Sequence, residues 1–441
     1  MMQNKLFILW IGFLSFTFCN AQDLLTKTEA VALTLEQNFG IQIANNNLEI
    51  AENNAGILNS GYLPSLNAQA GSNFSTQDRL AEVAGQDPLD QNNLDSENYN
   101  ASLNLNYTLF DGLGRLYNYK RLKEEYNLSE LQARETIENT LVQLFSVYYE
   151  VARRVENVEV LKQTLSLSKD RLKRVEYLFD YGQVNKLQVL NAKVDVSNDS
   201  INLVNENQSL DNAKRDLKVI INSEYSNNFS VDTTVNFTPM LKIQQFVEEH
   251  ELNNASLLQI EKSLEISAYD QKISKTGYLP TLDLIGSYGW NRNISPETPF
   301  FPGSTQTSTT ISAGLSLNWN LFDAGQTAVR IQNAKINYEN QNLQKQQIQV
   351  QVDRDIQNAL NNYKTRLYIY ELQEQNVKTN QDNFKRTENQ FELGQITSVE
   401  FRQAQINLQN AQTSYSLAKY DAKLAEIQLL QLTGQLLNVK F

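Results

Sequence analysis

The sequence predicts an α+β membrane protein in which two copies of one elongated unit each contribute two membrane strands and a pair of long helices. Three observations carry this expectation. Sequence markers recur in the same order in both halves, strictly alternating apolar and polar runs follow the first marker of each half, and heptad-spaced stretches without Pro separate the remaining markers. Gly61-Tyr62-Leu63-Pro64 returns as Gly277-Tyr278-Leu279-Pro280, Leu109-Phe110-Asp111-Gly112 as Leu321-Phe322-Asp323-Ala324-Gly325, and Phe179-Asp180-Tyr181-Gly182 as Phe391-Glu392-Leu393-Gly394, at offsets of 216, 212 and 212. Chance supplies one such match, not three in register.

The chain begins with a polar stretch and Lys5, followed by an apolar run over 6–14 and a small residue at Ala21. That order describes a secretory signal peptide over 1–21, cleaved after Ala21. A lipidated Cys19 would need small residues where Phe16 and Phe18 stand. Removing the leader takes away Lys5 and moves the side-chain charge from -12 to -13, and it leaves a chain without Cys. The first repeat covers 22–221, a connecting segment 222–240, the second repeat 241–435 and a short tail 436–441.

Within the first repeat a helix is expected over 27–60, with Gly61 as its left-handed end and Pro64 just beyond. Strands follow near 65–77 and 98–110. In the second of these, Tyr99, Ala101, Leu103, Leu105 and Tyr107 alternate with Asn and Ser, which gives one apolar and one polar face. The second repeat places its strands near 281–292 and 308–322. The runs are long enough to cross a bilayer when tilted, and Tyr and Trp gather near their ends as membrane interfaces require. Four strands cannot close a barrel, and lipid tolerates no open edge, so copies of the chain must pool their strands.

The helices are too long for a compact domain. From Gly112 to Phe179 there is no Pro, and Ile137, Leu141, Leu144, Tyr148, Val151, Val155 and Val158 begin a coiled-coil seam with one polar miss at Ser168. About 67 helical residues span about 100 Å. The second repeat shows the same seam through Ile356, Leu360, Tyr363, Leu367 and Tyr370. Its return helix carries Ala404, Ala411, Ala418 and Ala425 at heptad spacing; the first matches only at Ala192 and Ala213, with Asp199 and Glu206 between. Gly182 and Gly394 mark the helix reversals. The expected molecule is long, with strands at one end and helical tips at the other.

Composition narrows the function. With one Cys and one His in 441 residues, a Cys/His metal cluster, a disulfide framework and a Cys–His nucleophile pair are excluded. A net charge of -12 argues against nucleic acid. Mean hydropathy is -0.46, and beyond the leader no long apolar run exists, which rules out a polytopic helical membrane protein. No phosphate loop, Gly-x-Ser-x-Gly elbow or His-Glu-x-x-His run is present, so a carboxylate-only hydrolase is the one enzyme class left, and no enzyme, cofactor or metal is expected.

The leader, the duplicated unit, the Gly-Tyr-Leu-Pro and Leu-Phe-Asp-Gly markers and the Gly turns together resemble the TolC family of outer-membrane efflux and secretion channels, over about 25–435. The resemblance implies a homotrimer whose twelve strands, four per chain, close one transmembrane β-barrel continuous with a long periplasmic α-helical barrel of antiparallel coiled-coil hairpins. It implies the outer membrane of a Gram-negative bacterium, contact with outer-membrane lipid, and two partners: a periplasmic adaptor protein and an inner-membrane pump or exporter. The tip turns Tyr181-Gly182-Gln183 and Leu393-Gly394-Gln395 match the positions where adaptors dock. Glu400, Gln403, Gln188 and Asn191 match the periplasmic aperture, where Glu400 from three chains would form a carboxylate ring. Only one of the family's two aperture acids is present, and the Arg expected near Ile396 is missing. The competing reading is an exported structural or adhesive coiled-coil protein without a pore, which explains the heptads but not four alternating strands placed symmetrically in a repeat.

Overall fold

The computed structural model describes residues 24–82, 84–85, 87–223, 229–298 and 301–439. The expected leader over 1–21, with Cys19, lies outside the described residues, as do 224–228 of the connecting segment and the last two residues of the tail. The chain forms two compact units that cut across the sequence repeat: one from residues up to 44, 134–254 and 351 onward, the other from 45–133 and 255–350.

The second of these units holds a four-stranded antiparallel sheet in the order β2–β3–β5–β6, from β2 (Ser65–Ala81), β3 (Leu89–Phe110), β5 (Thr281–Ser295) and β6 (Ser304–Asn318). Its register keeps the alternation in phase on all four strands. Ala68 pairs with Leu103, Leu103 with Tyr288 and Tyr288 with Ile311, while one position over Asn67, Asn104, Ser287 and Ser312 form the matching polar row. The apolar row is bare: Leu66 and Leu315 are each about two-thirds exposed. Neither β2 nor β6 has a partner on its outer side within this sheet.

Five strand limits differ from those read in the sequence, and two of them are short extensions, β5 running on to Ser295 and β6 starting at Ser304. β2 continues to Ala81 and β3 begins at Leu89, so this hairpin carries paired residues beyond Ser75 and Ser96, past the level where β5 ends. Each face of its outer part mixes polar and apolar residues (Asp78 and Asp90 with Leu80 on one, Arg79 and Gln91 with Leu94 on the other), which erases the alternation that marks a half-buried strand. A bulge between Gln77 and Arg79 interrupts the ladder, with Asn93 at φ 57 donating its N–H to Asp78 Oδ1 at 2.8 Å. At the other end β6 stops at Asn318, four residues before the expected limit; Trp319 instead donates its ring N–H to the Tyr278 carbonyl at 3.1 Å.

Helices continue the strands in the same order. The turn after α2 (Phe39–Ala55) packs on α3 (Gly114–Asp180), with Tyr62 edge-on to Tyr119 at 6.4 Å and Arg115 donating to the Gly61 carbonyl at 3.3 Å. On its other side α3 meets α7 (Ala255–Thr276) through Lys262–Glu124 at 3.0 Å and Arg121–Asp270 at 3.4 Å. Lys345 of α8 (Gln326–Glu392) then reaches Glu261 of α7 at 3.1 Å. The two flanking helices expose apolar side chains. Ile50 of α2, and Ile57 in the turn after it, do so ahead of β2; Val329, Ile336, Leu343 and Val350 do so at seven-residue intervals after β6. The one helix expected over 27–60 is broken: α1 (Lys27–Gln37) ends at Asn38, whose backbone is extended (φ -66, ψ 125) and whose amide donates to the Ile220 carbonyl at 2.8 Å.

In the first unit the remaining lengths of α3 and α8 join α4 (Lys186–Ile221) and α9 (Ser398–Leu432). Leu144, Tyr148, Val151, Ile356, Tyr363, Ile427 and Leu430 are buried, so the seam positions face inward. A two-stranded parallel ladder of β1 (Leu24–Leu25) and β4 (Ser230–Val231) ties the start of the chain to the segment between the repeats, where α5 (Met240–Glu248) and α6 (His250–Asn253) follow. Tyr148 holds that junction: its hydroxyl donates to the Leu25 carbonyl and accepts from Asp232 N–H, at 2.8 and 3.0 Å. Farther along, buried Lys423 donates to the Asn236 carbonyl at 2.7 Å and Glu426 accepts from the Thr238 hydroxyl at 2.8 Å. Among the described residues no helix is long and apolar enough to cross a membrane.

Candidate functional site

Both helix reversals are built alike. After α3, Gly182 adopts φ 71, its N–H bonds the Phe179 carbonyl at 2.9 Å and Gln183 N–H bonds Leu178 at 2.8 Å. After α8, Gly394 adopts φ 70, with Gly394 N–H on Phe391 at 3.1 Å and Gln395 N–H on Gln390 at 2.8 Å. This paired bonding closes the last carbonyls of each helix and requires a left-handed residue, which Gly adopts without strain. The turns present Tyr181 and Leu393 to solvent, 80% and 71% exposed. Beneath the second turn Phe391 stacks on Phe401 at 4.7 Å, fixing α9 to the end of α8.

The helices that follow are capped at equivalent positions. Asn185 accepts Gln188 N–H on its side chain at 3.2 Å. Thr397 accepts Glu400 N–H at 3.2 Å, while the Glu400 carboxylate takes both the Thr397 N–H and hydroxyl at 2.8 Å. This reciprocal capping box holds the Glu400 carboxyl below the usual carboxylate range, chiefly through the Thr397 N–H. Thr-x-x-Glu ahead of an apolar run is a readable signature of such a cap; the aperture reading of Glu400 passed over it.

Gln188, Asn191 and Gln403 come together in one groove of about 480 Å³ between α4 and α9, and Glu400 stands outside its lining. The groove floor is charged. Arg402 grips Asp199 with two bonds, at 2.7 and 2.8 Å, and Asp199 also accepts from the Ser168 hydroxyl at 2.6 Å. Arg171, almost fully buried, pairs with Asp195. Gln405 donates to the Thr164 carbonyl at 2.9 Å and closes the network across α3, α4 and α9. The polar miss at Ser168 and the acid at 199 are thus one feature. Glu206, the other departure from the small-residue row, is held the same way by Arg154 at 3.0 Å. Sequence reading marked the acids and missed their arginines, because the partners lie on different helices.

Near the second turn, burial and neighbouring Glu392 raise the Glu388 carboxyl above its ordinary value, while Arg174 donates to the Glu392 carbonyl at 2.6 Å. Among the described residues no group of three or more His, Cys, Asp or Glu is placed to hold a metal ion.

The family model of outer membrane efflux proteins matches residues 30–223 and 247–435. Outer membrane protein TolC of Vibrio cholerae is 23% identical over 380 residues, which cover 86% of this chain and 83% of that protein. The proteases secretion protein PrtF of Dickeya chrysanthemi is 22% identical over 318 residues, covering 70% of this chain and 67% of that protein. Among solved structures, the Campylobacter jejuni CmeC outer membrane channel superposes with a TM-score of 0.73 at 17% identity, covering 93% of this chain and 86% of that one.

Proposed function

The chain belongs to the outer membrane efflux protein family, an outer-membrane channel for efflux or secretion, and on that premise we propose that three copies pool their strands into one twelve-stranded barrel and conduct substrates received from a periplasmic adaptor and an inner-membrane pump or exporter. The observation that supports this reading most is the open four-stranded sheet. Both of its edges lack partners, its apolar row is bare, and the helices beside both edges expose apolar side chains at regular spacing. A neighbouring copy laid edge to edge satisfies the first and the third, because the β2 side of one chain meets the β6 side of the next and the ring closes without an edge, while the bare apolar row is left to lipid. The family consists of channel proteins rather than enzymes. Transport energy would come from the pump.

In this proposal Tyr181, Gly182, Gln183, Leu393, Gly394 and Gln395 form the surface an adaptor meets. Gln188, Asn191 and Gln403 supply a carboxamide lining at the aperture, and Glu400 acts there as the cap that sets the start of α9. The protein, extracted in detergent and placed in a planar bilayer, is expected to run as a trimer and give discrete conductance steps. A water-soluble monomer without conductance defeats the proposal.

A further inference from the structure

The strand-bearing unit distributes its charge unevenly. Where its strands pass into helices, over 111–123, 269–278 and 319–335, the chain holds eight Lys and Arg against three acids, a local balance of +5 in a protein of -12. The three acids are occupied. Asp111 and Asp323 accept the N–H groups of Arg115 and Thr327 at 2.7 Å, and Asp270 pairs with Arg121. Lys120, Lys123 and Lys272 are exposed, and none of them forms an ion pair among the described residues.

Helical geometry gathers these three on one face. Arg115 and Tyr119 point from α3 toward Tyr62 in the turn after α2, while Arg121 and Glu124 point toward α7. With 3.6 residues per turn, Lys120 and Lys123 then leave the helical layer on one side, and Asn118 and Glu125 on the other. Lys272 of antiparallel α7 joins the first side, its Nζ 4.9 Å from the Tyr269 ring and 5.9 Å from Tyr117, just as Lys123 Nζ lies 4.6 Å from Tyr119. The opposite side carries Ser267, Gln271 and Ser274 of α7 and Asn333 and Asn337 of α8, the same residue types as the polar row of the strands. The lysine and tyrosine face therefore continues the apolar row.

Height fits as well. Lys272 stands four residues before the end of α7 and Lys120 six after the start of α3, about 6 and 9 Å of helix respectively. A headgroup layer is roughly 5–8 Å deep on each side of the hydrocarbon, and Lys123, one turn lower, has a flexible stem that can reach back to it.

We infer that this face binds the headgroups of anionic phospholipid in the leaflet on the helical side of the sheet. The inference rests on the reading of the sheet as part of a membrane barrel. The ammonium groups supply the charge for lipid phosphate, and the tyrosines supply amphipathic rings suited to the interface.

The test reconstitutes the full-length protein into bilayers of mixed phosphatidylethanolamine and phosphatidylglycerol, isolates it with its surrounding lipid and weighs the two lipids by mass spectrometry. Phosphatidylglycerol is expected to be enriched around the wild type and to return to the bulk proportion in high salt. The combined Lys120→Gln, Lys123→Gln, Lys272→Gln variant is expected to lose the enrichment with conductance unchanged, since each neutralised cation lowers association about fivefold. Wild type without enrichment, enrichment that survives high salt, or enrichment retained in the variant each overturns the inference. So does a variant whose lipid shell is unchanged but whose reversal potential shifts, because the lysines then face the passage. The salt series on wild type stands even where the triple variant fails to assemble. A wild type that forms no pore counts against the channel reading, which the lipid measurement leaves to conductance alone.

Discussion

Asp199 occupies the position that Ala411 holds in the second repeat, and the exchange of a methyl for a carboxylate alters what its helix can grip. In α4 the acid is buried and meets Arg402 of α9 and Ser168 of α3; in α9 the alanine lets its neighbours approach without polar cost. Removing one member of a buried pair leaves the other charge without its partner, which costs about 3–5 kcal/mol. Asp199→Ala is accordingly expected to destabilise the protein by that amount in thermal unfolding followed by circular dichroism. Asp199→Ala combined with Arg402→Ala should cost less than the sum of the two single changes. A loss below about 1 kcal/mol for the single change would show the network to be worth no more than an exposed ion pair.

The hairpin turns connect this chemistry to whole elements. At Gly394 an added Cβ meets nothing within 4 Å, so the only constraint on the residue is its left-handed backbone at φ 70. Gly394→Ala is therefore expected to cost about 1 kcal/mol and to leave efflux measurable in a susceptibility assay. Gly394→Pro removes the N–H that closes the helix and cannot take a positive φ; it should abolish resistance while trimers still form, and normal resistance would release the turn from the docking role. These turns were legible in the sequence because Gly after a helical run has one dominant structural use. So were the strand centres, where one face is apolar, and the long helices, where Pro is absent. The break at Asn38 was not legible, since it depends on a carbonyl 182 residues away. Nor was the outer part of the β2–β3 hairpin, where both faces mix polar and apolar residues and only hydrogen bonding marks the strand. Of the residues read as a candidate aperture, Gln188, Asn191 and Gln403 line one groove and Glu400 caps its own helix, a local role that Thr-x-x-Glu signals in the sequence.

At the scale of the whole molecule, composition concealed the membrane part because alternating strands average to a polar value. The duplication made it visible, since two similar halves each carrying two strands cannot form a closed wall alone. Leu343 is 60% exposed, so Leu343→Glu should leave a single chain folded, yet it places a charge on the face that the proposed assembly covers. Detergent-solubilised variant is expected to run as a folded monomer in native electrophoresis, and an intact trimer would place that face elsewhere. The uneven hairpins have one more consequence. Residues near Leu80 and Leu89 stand beyond the last residues of β5, so in the proposed assembly each chain raises a narrow, acidic two-stranded finger above the rim. In that assembly the finger would be open to an antibody approaching an intact cell, and an epitope tag inserted between Ala81 and Leu89 is expected to be stained on unbroken cells.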